Sequence, residues 1–87
     1  MKGKTSSGFQ FEVDDKVLDD WELIEDLSES SKNGYAEIRA AKRLLSEKQY
    51  AALKEHVRDK ETGRVSGRGM DKEIGEIVMA VANNKKN

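Results

Sequence analysis

Apolar residues recur along this chain with two different periods. Phe9, Phe11 and Val13 alternate with Gln10 and Glu12, the period-two pattern of a half-buried strand. Beyond Val13 the spacing changes to three and four residues, the period of helices. The first predicted helix starts from a cap at Asp14 or Asp15, or from the pair Asp19 and Glu22, and runs to about Ser30. Its central stripe is Val17, Trp21, Ile24 and Leu27. Leu18 and Leu23 widen the apolar arc to roughly 220° at 100° per residue, more than one packing face needs. After the loop SSKNG, a second helix over about 35–45 places Ile38, Ala41 and Leu45 on one face, with Leu44 at its flank. Ser46 and Gln49 form an S-x-x-Q capping box that opens a third helix to about Arg58, striped by Tyr50, Leu53 and Val57. DKETGR is a turn. Ser66 caps a last helix to about Ala82, in which Met70, Ile74, Ile77, Val78 and Val81 share one face and Met79 points the opposite way.

These elements predict a mainly α fold, a small bundle of about four helices with a short N-terminal extended strand. The small, polar residues 1–8 are expected to be a flexible segment, residues 9–83 a single helical domain, and residues 84–87 a frayed basic tail. A lone strand cannot satisfy its own hydrogen bonds. The 9–13 segment must therefore pair with another chain, as in an oligomer, or lie extended against helices.

Composition narrows the function. Eighty-seven residues make one domain with a modest core. Apolar residues are only 36% and charged residues 38%, so the helices must present strongly solvated faces. No cysteine is present, which removes disulfides and thiolate metal sites and fits a reducing compartment. The start MKGKTSSGF lacks the apolar stretch of a secretory leader, and no run approaches the ~18 apolar residues of a membrane helix. A net charge of −1 disfavours nonspecific nucleic-acid binding, which needs a basic surface. The charge is segregated, however. Nine acidic residues and one basic lie between Glu12 and Glu29; ten basic and five acidic lie between Lys32 and Arg68.

Catalytic chemistry finds little to work with. His56 is the single histidine, with no serine, cysteine or second histidine at a recognised spacing, so no catalytic role is assigned. Asp14, Asp15, Asp19 and Asp20 do not follow the EF-hand pattern, and no metal or cofactor is expected. GRVSGRG is neither a dinucleotide fingerprint nor a P-loop. The tight junction at Leu45–Ser46, with Lys42, Arg43, Lys48, Lys54 and Arg58 nearby, suggests a helix-turn-helix DNA-binding regulator as the alternative class. Glu47, Glu55 and Asp59 on its would-be recognition helix oppose that reading, because phosphates repel them. What remains is non-catalytic protein binding. Trp21 is either the core anchor of a chain with few large residues or the centre of an interface, where aromatics are favoured.

The stretches FQFEVDDKVLDDWELIEDL and SEKQYAALKEHVRDKETGRVS, joined by a helix ending RLL and followed by a final amphipathic helix, resemble tail assembly chaperones of long-tailed phages or prophages of Gram-positive bacteria. The resemblance covers roughly residues 9–82. It implies a chaperone that binds the long, apolar, helical tape measure protein in the host cytoplasm during virion assembly. Such a chaperone keeps the client soluble, helps recruit the major tail tube protein, and is absent from the mature virion. It implies no small-molecule substrate and no membrane. The family supplies no binding residues to carry over. From helix geometry alone, partner contacts are expected at Leu18, Trp21, Leu23 and Met79.

Overall fold

A computed structural model describes residues 1–84. Among the described residues four helices, as the apolar periodicity predicts, share one core with a two-stranded sheet. The N-terminal alternation folds into a hairpin. Strand β1 (Lys2–Lys4) pairs antiparallel with β2 (Gln10–Glu12), in the register Lys2↔Glu12, Gly3↔Phe11 and Lys4↔Gln10. This corrects two expectations: residues 1–8 are a strand and a turn rather than a flexible segment, and the 9–13 strand finds its partner within its own chain.

The cause lies in TSSG. Gly8 adopts φ 96°, a left-handed conformation that glycine reaches without steric cost, and its N–H donates to the Thr5 carbonyl at 2.9 Å. The Thr5 hydroxyl accepts the Phe9 N–H at 3.2 Å. On the inner face the Phe11 ring covers Gly3, where a Cβ would stand 2.5 Å from it. The outer edge of β2 is closed by a side chain. The Gln49 amide accepts the Glu12 N–H and donates to the Glu12 carbonyl, both at 2.6 Å, like a neighbouring strand.

The first helix begins later than either expected start. Asp14 caps only a local turn through the Lys16 N–H at 2.7 Å, and Val17–Asp19 forms a single 3-10 turn. Asp20 is the true cap of α1 (Trp21–Glu29), accepting the N–H groups of Glu22 and Leu23 at 3.0 and 3.2 Å. The break at Asp20 puts Val17 and Leu18 out of phase with the helix that follows. Leu23 becomes its buried centre and Leu27 is half-buried, while Trp21 and Ile24 face outward.

Asn33 caps α2 (Gly34–Leu44), so Gly34, expected in the loop, is the first residue of this helix. Ser46 caps α3 (Glu47–Val57) through the Gln49 N–H, as the capping box predicts. An Asp59–Gly63 turn, with Gly63 at φ 75°, leads to α4 (Gly67–Asn84), whose Gly69 N–H is capped by Ser66. Of the expected tail, Asn84 is the last residue of α4; the rest lies outside the described residues.

The core gathers Phe9, Phe11 and Val13 from the hairpin and Leu23 from α1. Ala40, Ala41 and Leu44 of α2, with the following Leu45, join Leu53 of α3 and Ile74, Ile77 and Val81 of α4. Among the described residues, no helix is long and apolar enough to cross a membrane.

Candidate binding surfaces

A mostly apolar concavity opens on the side of α2 that faces away from α1. It is a groove of about 580 Å³ walled by α2, α3 and the start of α4, within the size range of small-molecule and peptide-anchor pockets. Tyr35, Ile38, Tyr50, Val65, Met70 and Ile74 supply its apolar surface. Tyr35 is 77% exposed and Ile38 44%, because no further element covers them. Lys32 and Lys54 stand on the rim, and neither has an ion-pair partner among the described residues. The Lys54 ammonium lies 5.0 Å from the centre of the Tyr50 ring, an attraction between cation and ring face that fixes the rim. Glu37 also lines the groove. A hydrogen bond with Asp71, then burial, then repulsion by the Asp71 charge raise its carboxyl from an ordinary 4.5 to about 7.

A second surface lies on α1. Trp21 is 72% exposed and Ile24 44%, three residues apart on one face of the helix. Glu22, Glu25 and Glu29 surround them, all exposed. The opposite face of α1 is sealed against α2. Ala36 and Ala40 are buried there, and Arg43 reaches Asp20, Glu22 and Asp26 at 3.5–3.6 Å. Arg39 reaches Asp26 at 3.2 Å. The acidic first third and the basic middle of the chain are therefore partly complementary faces of one fold.

The four expected contact residues separate. Trp21 is exposed, so it is not the core anchor. Met79 is exposed at 61%, in a shallow depression with Lys4, Phe11, Lys72 and Glu76 that does not include Trp21. Leu18 is half-buried against the core. Leu23 corrects the expectation: it has no exposed surface and is a core residue, because the helix starts at Trp21 and turns Leu23 toward α2. The groove itself was not visible in the sequence. Tyr35 and Ile38 at i, i+3 were the available signal, but a second helix with one apolar face gives no hint that part of that face stays uncovered.

A polar cluster joins the hairpin turn to α3 and α4. Glu73 is almost fully buried, and its carboxylate accepts the Thr5 hydroxyl at 2.7 Å and the Ser7 hydroxyl at 3.0 Å. His56 Nε2 lies 2.9 Å from Ser7 Oγ, with the His56 ring 5.5 Å from Phe9. Serine, histidine and a carboxylate thus meet, although their sequence spacing shows no motif. The proton bookkeeping differs from that of an activated nucleophile. Ser7 gives its single proton to Glu73, so His56 Nε2 donates to Ser7 instead of acting as its base. The cluster satisfies a buried carboxylate and pins the turn. Beside it, Glu76 accepts both the N–H and the hydroxyl of Ser6 at 2.8 Å. Those two bonds, the backbone one first, hold its carboxyl below the ordinary range.

Comparison of the chain with protein families, with curated proteins and with solved structures finds no match.

Proposed function

We propose that this protein is a non-catalytic binder of an apolar helical client, acting as a tail assembly chaperone of a long-tailed phage or prophage. Its client is the tape measure protein, held soluble in the host cytoplasm until the tube forms, and the chaperone then departs before the virion is complete. The observation that carries the reading is the open apolar groove between α2, α3 and α4 on a body rich in charge. A groove of this kind takes the apolar stripe of an amphipathic helix, and the charged surroundings keep the pair in solution. The resemblance of residues 9–82 to the chaperone family supplies the identity of the client.

Co-expression with the tape measure protein of the same tail gene module tests the proposal. The expected result is a higher soluble fraction of the client and a complex that co-purifies. An unchanged soluble fraction with no complex would remove the chaperone reading. Titration with duplex DNA at several salt concentrations tests the regulator reading. Steep salt dependence would favour it; the expected result is no binding, since α3 exposes Glu47 and Glu55 beside Lys48.

A further inference from the structure

The molecule exposes both halves of one contact. The groove is an apolar receptor with cationic rim residues Lys32 and Lys54. The free face of α1 is an apolar ridge, Trp21 and Ile24, flanked by the carboxylate of Glu25; Glu22 beside it is turned to Arg43 of its own chain. Glu25 and Lys32 have no ion-pair partner within the described chain, and Lys54 meets only the Tyr50 ring. Apolar area and charge sign therefore match between the two surfaces. They cannot meet inside one molecule: α1 is packed on the opposite side of α2, and only residues 30–33 join the two helices.

We infer that the Trp21–Ile24 ridge of α1 docks into the α2–α3–α4 groove of a second copy of this chain. Trp21 is the anchor. An indole left exposed keeps a large apolar area in water, and a partly enclosed apolar groove is where that area is best removed from it. Glu25 meets the lysine rim, which orients the ridge and makes the association weaken with salt. Ridge and groove are different surfaces, so each copy can give one and receive the other. The contact is small, so association is weak and grows with concentration. This inference does not rest on the identity of any client, whose helix would compete with the docked α1 for the same groove.

Sedimentation equilibrium of the full chain, up to about 1 mM and at low and high salt, reads the association. The wild type is expected to exceed the monomer mass, with a blue shift of Trp21 fluorescence as the ridge is covered. Trp21→Ala, defective in the ridge, is expected to stay monomeric, as is Ile38→Glu, defective in the groove. Both positions are substantially exposed, so circular dichroism should show both variants folded. If Ile38→Glu fails to fold, Tyr35→Glu takes its place. A mixture of the ridge-defective and groove-defective variants is expected to regain association, because each retains the surface the other lacks. A wild type that is monomeric at about 1 mM overturns the inference. So does association that survives in either folded variant, or a mixture that fails to pair. Binding of an acidic amphipathic helix by a chain that never self-associates would reserve the groove for another protein. Failure of self-docking leaves client solubilisation unaffected, so the two readings fail separately.

Discussion

On one side of α2, Ala36 and Ala40 lie against α1, water is excluded, and arginines close the rim of the seam. On the other side, Tyr35 and Ile38 look onto an open groove, although they belong to the same helix. The difference comes from what each side is offered. The α1 side has small residues on α2, a fully buried leucine on α1 and a four-residue connection that holds the helices antiparallel. The groove side has larger side chains, Tyr35 and Ile38, which with Tyr50, Val65 and Met70 border an open space instead of packing closed. Packing is completed where small residues allow close approach, and apolar surface is left over where they do not.

Several substitutions would sharpen or break this contrast. The largest effect is expected at the seam. Leu23→Ala should lower stability by about 2–5 kcal/mol in urea unfolding, because the cavity forms beneath a side chain with no exposure. Trp21→Ala, at the first position of the same helix but outward, should stay within about 0.5 kcal/mol of the wild type. Equal losses at the two positions would dissolve the distinction between core and ridge. Ala40→Leu should cost about 1–3 kcal/mol by overpacking the seam, whereas Ile38→Ala on the groove side should cost less than about 1 kcal/mol. A tolerated leucine at position 40 would mean that the seam is looser than its geometry indicates. Arg43→Gln should cost at most about 1 kcal/mol, because its ion pairs are partly exposed, and the loss should vanish near 1 M salt.

The smallest and most specific effect is in pH dependence. Glu37 has a folded-state value near 7, above its ordinary 4.5, so the folded protein holds that proton more tightly than the unfolded chain. Its stabilising contribution is complete below pH 4.5 and is lost as pH rises toward 7. Thermal melts of Glu37→Gln should therefore lose that part of the wild-type decline between pH 4.5 and 7. Glu76 acts with the opposite sign. Its carboxyl is held below the ordinary range by Ser6, so its contribution is present at neutral pH and is lost on acidification. An unchanged slope in Glu37→Gln would mean that the groove wall is not coupled to its charge.

The binding residues show how partial the legibility of the sequence was. Met79 was readable as exposed because α4 is long and regular, and a phase error over 18 residues would have been visible. Leu23 was placed at the edge because α1 has only nine residues, and Asp14, Asp15 and Asp19 all offered caps ahead of the true one at Asp20. Choosing the wrong cap rotated the inferred stripe, placing Trp21 at its centre and Leu23 at its edge. The Gln49 amide was expected at the cap of its own helix, but it also bonds Glu12, 37 residues away, a pairing no local pattern contains.

From local patterns alone, the sequence determined the number of helices, the caps at Ser46 and Ser66, the stripe of α4 and the strand at Phe9–Val13. These follow from hydrogen-bonding side chains and periodicities that act over a few residues. Only the tertiary structure decided that residues 1–8 close a hairpin, that Glu73 is buried under two hydroxyls, and that one side of α2 stays open. Each of these depends on which distant segments arrive at the same place. That outcome is set by the shared core, whose attraction is non-directional and leaves no local mark on the chain.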